Sequence, residues 1–199
     1  MSKIIGIVGS YRKVGVVDSV VTEILAAAEK LGAETEKIYL IDKDIHFCTN
    51  CRQCTQENGQ ARGPCTQDDE MATILDKIEA ADGLVIGSPV NFFTITAVTK
   101  RFMERLVCYA YWPWGAMAPK MRQTRLTRKA VLVTASAMPA TMGRVFTSAP
   151  RLLKITAKTL GAKPVGSIYQ GFSAGEEDPK LSAGTIKKAA RMARRLVPT

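Results

Sequence analysis

Histidine is almost missing: His46 is the only one in 199 residues. That nearly removes Ser-His-Asp and Cys-His nucleophilic schemes, and any multi-histidine metal site. No apolar run approaches the roughly 18 residues a membrane span needs, so no transmembrane helix is expected. The 15 glycines and 9 prolines are scattered without period, which excludes collagen-like and low-complexity readings. Met1-Ser2-Lys3 and the short apolar run up to Gly9 cannot supply a signal-peptide core and read as a strand. A soluble cytoplasmic protein without membrane contact is the expectation.

What is present is ordinary globular composition, 46% hydrophobic and 23% charged. No linker or repeat divides the chain, so residues 1–199 read as one domain. The net charge of +10 favours anionic partners in general. Five cysteines without an export signal argue for thiols, a metal or a cluster, because cytosolic disulfides are rare.

Ile4-Ile5-Gly6-Ile7-Val8 is a short apolar, β-branched run that suits a strand buried on both faces. Val17, Val20, Val21, Ile24, Leu25 and Ala28 follow at helical spacing, and the helix stops at Leu31-Gly32. Further strands are expected at Thr35–Ile41, Gly83–Gly87, Ala130–Val133 and Val165–Tyr169. Helices are expected around Met71–Ile78, Ala97–Val107, Ser148–Leu160 and Ile186–Leu196. Strict β-α alternation predicts a parallel five-stranded sheet with helices on both faces, an α/β three-layer sandwich. Five such units match the flavodoxin-like order 2-1-3-4-5. Two long connections, at about 42–69 and 108–128, are where such a fold keeps functional insertions.

Ligands of open α/β sheets sit beyond the carboxyl ends of the strands, so the loops there matter most. The loop after the first strand reads Gly9-Ser10-Tyr11-Arg12-Lys13-Val14-Gly15. Ser10 offers a hydroxyl, Arg12 and Lys13 offer charge, and the helix start at Gly15-Val16-Val17 presents N–H groups suited to a phosphate. Neither a P-loop nor a dinucleotide G-x-G-x-x-G is present. A glycine turn carrying solvated basic residues is the plainer reading of the same segment. After the third strand comes Ser88-Pro89-Val90-Asn91-Phe92-Phe93, and after the fourth Ser136-Ala137-Met138-Pro139.

Taken together, these loops resemble those of the NAD(P)H-dependent FMN reductases and iron-sulfur flavoproteins of the flavodoxin-like superfamily. Ser10 and Arg12 match that family's G-S-x-R-x-x-G phosphate loop, although Val16-Val17 replaces its usual Asn-Thr, leaving more to backbone N–H groups. Pro89, Val90, Asn91 and Phe92 correspond to the S-P-V-Y-F loop along the isoalloxazine, with Asn91 in place of the frequent tyrosine. Lys100, Phe102 and Arg105 fit the K-x-F-x-x-R continuation. Ser136 and Ala137 lie where the family approaches the flavin pyrimidine. The resemblance implies bound FMN, NAD(P)H as co-substrate, chemistry at the flavin rather than at a catalytic side chain, and a homodimer or homotetramer.

Cys48, Cys51, Cys54 and Cys65 form a C-x2-C-x2-C-x10-C pattern in the first long connection. Thiols packed this closely are metal ligands or redox groups. A [4Fe–4S] centre, a zinc site, and reduced or disulfide-capable thiols all remain open at this point. Arg52 and Arg62 would offset a cluster's negative charge. Cys108 reads as a buried structural thiol and His46 as a surface imidazole.

In the second connection, Lys120, Arg122, Arg125 and Arg128 stand beside Tyr109, Tyr111, Trp112 and Trp114. Such interleaving can bind single-stranded nucleic acid, but a subunit contact or a lid over the flavin is the better use. The leading expectation is therefore an FMN-dependent NAD(P)H oxidoreductase serving a flavin, quinone or other small acceptor. The alternatives are an iron-sulfur flavoprotein electron carrier that does not use NAD(P)H, and a nucleic-acid-binding or scaffold protein.

Overall fold

The computed structural model describes residues 1–175 and 179–197. In chain order its main elements are β1 (Lys3–Val8), α1 (Val16–Glu29), β2 (Glu34–Tyr39), α2 (Met71–Glu79), β3 (Gly83–Asn91) and β4 (Thr94–Ile95). There follow α3 (Ala97–Arg105), β5 (Ala110–Tyr111), β6 (Lys120–Met121), β7 (Arg128–Ala135), α4 (Ala140–Phe146), α5 (Ala149–Thr159), β8 (Ala162–Gln170) and α6 (Ala183–Leu196).

The sheet order is β2-β1-β3-β7-β8, all parallel. Counted among the five long strands, that is 2-1-3-4-5, the flavodoxin-like order that the five β-α units match. The two-residue β4 is an addition, folding back antiparallel on the end of β3. Ile4, Val8, Val85 and Val131 point to one face and pack under α1 and α6. Ile5, Ile7, Leu84, Ile86 and Leu132 point to the other and pack under α2, α3 and α5. This period-two division of fully apolar strands is what a doubly covered parallel sheet requires.

Several boundaries differ from the sequence reading. Leu40–Asp42 is a short 3-10 turn rather than the end of β2, and Leu106–Tyr109 is another after α3. Pro89, Val90 and Asn91, read as loop, continue β3, because β7 pairs with it as far as Pro89–Ala135 and β4 pairs with Val90 and Asn91. Pro89 is tolerated there since β1 has already ended at the level of Gly87, so no partner on that side needs its missing N–H. The short α4 escapes a periodicity argument: Met142, Val145 and Phe146 are all exposed, so it shows no apolar face. Among the described residues no helix is long and apolar enough to cross a membrane.

Candidate functional site

The register places the loops after β1, β3 and β7 at one edge of the sheet. Val8 lies opposite Gly87, Gly87 opposite Val133, and Pro89 opposite Ala135. Ser10, Pro89–Phe92 and Ser136–Ala137 are thus brought together. The connection after β2, which carries the cysteines, leaves from the same edge, and Lys13 ties the two regions through an ion pair to Asp42 at 2.8 Å. Lys13 is therefore turned toward β2, across the Tyr39 ring.

Three buried hydroxyls hold the first two loops in place, and nothing in the spacing of the sequence announced them. Thr96 donates to the Gly9 carbonyl at 2.6 Å, and the Thr99 hydroxyl lies within hydrogen-bond distance of both the Gly9 carbonyl, at 3.2 Å, and Ser88 Oγ, at 3.1 Å. The Gly9 N–H donates to the Gly87 carbonyl at 2.8 Å. A side chain at Gly9 would place its Cβ 1.8 Å from Thr99 Oγ1, so only glycine fits this crossing. Thr96 also caps α3 by accepting from the Thr99 N–H.

Ser10 is buried, and its hydroxyl accepts from the Arg12 N–H and donates to the Arg12 carbonyl, both at 3.1 Å. It shapes the turn that carries Arg12. Gly15 caps α1 without any side-chain hydrogen bond, which leaves the first-turn N–H groups at Val16 and Val17 open to an anion. Asp18, in the same turn, is buried and answered by Lys37 and the Tyr39 hydroxyl at 2.9 and 3.0 Å. Burial opposes the Lys37 charge, but its bonds to Tyr39 and Asp18 prevail and raise its pKa.

Phe92 and Phe93 form the turn between β3 and β4, with φ of 49° and 65°. Two-residue hairpins use that left-handed conformation, normally with Asn or Gly, so two phenylalanines there carry strain of about 1 kcal/mol each. Phe92 is 94% exposed and Phe93 58%. Ser136 is fixed from β8, its N–H donating to the Gln170 carbonyl at 3.0 Å and its Oγ to the Met138 carbonyl at 3.2 Å. Ala137 is exposed at the rim. Beneath α4 the Tyr169 hydroxyl is buried with no hydrogen-bond partner among the described residues. Tyr169→Phe is expected to raise stability by about 1 kcal/mol by removing that group. Urea unfolding followed by circular dichroism checks this, and a loss of stability would mean that the hydroxyl is bonded in solution.

Cys48, Cys51, Cys54 and Cys65 line one small cavity of about 20 Å³, with Arg105 and Cys108 in its wall. The spacing singled out four thiols, and the structure brings the fifth to them. Among the described residues no three His, Cys, Asp or Glu side chains stand at metal-ligating distances. The donor set suits a soft metal or cluster in kind, and the loop would have to open to admit one. A backbone hydrogen bond from Gln53 and a bond with Thr66 lower the Cys51 pKa. Burial raises that of Cys54 and pushes Cys108 up to about 12.

Arg105 is the anchor of this region. It is buried, pairs bidentately with the buried Asp69 carboxylate, and donates to the His46 carbonyl at 3.0 Å and to Cys65 Sγ at 3.4 Å. Burial disfavours the Asp69 charge, but Arg105 and the His46 and Met71 N–H groups hold its pKa below the usual carboxylate value. His46 itself is half exposed at the surface. Arg62 turns away from the thiols to pair with Asp76 and Glu79 at 2.5 and 2.6 Å.

The second connection roofs the first. The Arg52 guanidinium lies between the Trp112 and Trp114 rings, 4.0 and 4.2 Å from their centroids, and donates to the Trp112 carbonyl. Arg122 donates to the Cys54, Gly59 and Cys108 carbonyls, while Arg128 binds those of Glu79, Ala81 and Leu160. Half of the basic residues weighed as a nucleic-acid or subunit surface are therefore internal staples.

Comparison with known proteins agrees with this architecture. An iron-sulfur flavoprotein of Archaeoglobus fulgidus is 34% identical over 111 residues, 56% of this chain and 48% of that protein. Another, from Methanocaldococcus jannaschii, is 41% identical over 103 residues, 52% of this chain and 51% of that protein. The chain thus spans about half the length of the curated relatives it matches. Among solved structures, an azoreductase from Bacillus anthracis superposes with a TM-score of 0.73 at 15% identity, covering 98% of this chain and 100% of the other. An FMN-dependent NADH-azoreductase from the same species, in complex with FMN, gives 0.71 at 17% identity, covering 98% and 99%. Those likenesses establish the shared fold. The model of the NADPH-dependent FMN reductase family matches residues 2–177, and with its loops, sheet order and helix placement this chain belongs to that family.

Proposed function

We propose that the protein is an FMN-dependent oxidoreductase that takes hydride from NAD(P)H and serves a flavin, quinone or other small acceptor. One observation carries this reading: an uncapped helix start, the Pro89–Phe92 segment and Ser136–Ala137 converge on one edge of the sheet. In it the Val16 and Val17 N–H groups and Arg12 hold the terminal phosphate, and Ser10 keeps the turn in shape. The Ser88–Thr96–Thr99 clasp fixes the distance between the phosphate loop and the β3 end. Backbone groups of Pro89–Phe92 address the flavin edge, and the small Ala137 beside the fixed Ser136 lets a flat ring approach the chain. When bound, FMN supplies hydride acceptance at N5, so no side chain need act as acid or base.

Arg12→Ala is expected to weaken FMN by about 1.5–3 kcal/mol, the range for a charge-assisted hydrogen bond. Flavin fluorescence titration reads this, and unchanged affinity would move the phosphate to another place. Rapid mixing with NADH and NADPH then distinguishes an enzyme from a carrier: flavin that stays oxidised with both overturns the use of NAD(P)H. The exposed Phe92, Phe93, Val145 and Phe146 near this edge support a homodimer or homotetramer, to be read by sedimentation.

The five converging thiols favour a second reading, an iron-sulfur flavoprotein in which a [4Fe–4S] centre exchanges single electrons with the flavin. Anaerobic reconstitution should then give close to four irons per chain ( cubane stoichiometry, about four), and Cys51→Ser should lose them. Stoichiometric zinc, or no metal, leaves the thiols in a structural or redox role.

A further inference from the structure

A cavity of about 690 Å³ lies on the opposite side of β7 from the cysteines, between α5, the outer strand β8 and α4. It is bounded by α4 and α5, both of which pack against β8. The apolar side chains lining it are Leu126, Leu132, Pro150, Pro164 and Tyr169. Its rim carries Arg144 from α4, Lys154 and Lys158 from α5, and Lys163 from β8, and among the described residues no acidic one lines it.

The charge arrangement is unfavourable unless something answers it. Lys154 and Lys158 are like charges four residues apart on one helix, which destabilises a helix surface. Elsewhere Lys3, Lys13, Lys37, Lys43, Lys77 and Lys100 each meet a carboxylate. None of the four rim cations has an ion-pair partner among the described residues, and Arg144 stands over the Tyr169 ring at 5.6 Å instead. The volume falls within the range of small-molecule sites, about 300–1,000 Å³.

We propose that this groove is a second binding site, for an amphipathic anion. The apolar body rests on Leu126, Leu132, Pro150 and Pro164, and a carboxylate or phosphate head lies among the rim cations. An apolar floor alone would accept a neutral chain or a second copy of the protein equally well. A surround of four cations, with no acid among the described residues that line it, selects the anion and opposes a second copy of a chain carrying a net +10. The site is separate from the flavin loops, so it stands or falls independently of the flavin reading.

Titration calorimetry with decanoate, below its micellar concentration, tests this on the intact protein with 1-decanol as the neutral control. Decanoate should bind at one site per chain, decanol at least tenfold more weakly, and decanoate affinity should fall as salt rises. A Lys154→Gln/Lys158→Gln double variant, altered only at exposed positions, should bind decanoate at least tenfold more weakly with its circular dichroism unchanged. Equal binding of decanol, or an unchanged variant, would overturn the proposal. So would failure of decanoate to bind together with a fall in oligomeric state in the variant, which would assign the groove to a second copy.

Discussion

Asp69→Asn should lower the stability of the protein by about 3 kcal/mol, the lower end of the cost of leaving one member of a buried ion pair uncompensated. The asparagine keeps one carbonyl oxygen and so can accept from only one of the His46 and Met71 N–H groups, which meet different carboxylate oxygens, and Arg105 would keep its charge in a buried position without an opposing one. The pH dependence follows from the direction of the shift. Asp69 has a depressed pKa in the folded protein, so its contribution is fully present above the unfolded value of 3.8 and is lost as pH falls through the folded value. The wild type should therefore approach the variant in stability under strong acid and exceed it near neutrality. Urea unfolding followed by far-ultraviolet circular dichroism at several pH values measures both. A variant within about 0.5 kcal/mol of wild type at pH 7 would show that the pair contributes little beyond its own desolvation.

Gly63→Ala is expected to be nearly as damaging, and it probes the cysteine region without touching a thiol. A Cβ at Gly63 would lie 1.8 Å from the Cys54 carbonyl oxygen and 2.7 Å from its carbon, both backbone atoms that cannot rotate away. The loop must shift, straining the Gly63 N–H bond to the Cys108 carbonyl and the Arg122 bond to Cys54. Overpacking with a lost hydrogen bond should cost about 2–3 kcal/mol, or roughly 5–10 °C in Tm for a domain of this size. On the iron-sulfur reading, iron and sulfide uptake on reconstitution should fall in step. An unchanged Tm and unchanged thiol reactivity would mean that the loop takes another arrangement in solution.

The strands, the helices and the edge that gathers the loops were legible because each rests on local patterns: apolar runs of five, helical spacing, and glycine at turns. The strand order was matched to the flavodoxin-like fold and is not itself readable from the sequence. The Ser88–Thr96–Thr99 clasp was not legible, because its bonds to Gly9 join residues nearly ninety positions apart. Thr96 and Thr99 look like an ordinary helix start, and their second task exists only once β1 and β3 are neighbours. Cys108 was read as packing material for the same reason. Its approach to the other four thiols depends on the 3-10 turn after α3. Arg122 and Arg128 read as part of a subunit contact or lid, since sequence does not reveal which carbonyls a turn leaves unpaired. Lys13 and Arg62 offered charge to the expected sites, and carboxylates elsewhere took them up.

Both tryptophans of the chain flank a single guanidinium, that of Arg52, between Cys51 and Cys54. Indole emission is thus a built-in optical probe of one loop rather than of the whole sheet. Excitation at about 295 nm should respond to metal uptake, thiol oxidation or loop opening while the backbone signal stays constant ( indole as the reporting ring). A melting curve followed by that emission would precede the one followed by circular dichroism wherever the cysteine connection opens before the core ( local opening below the global transition).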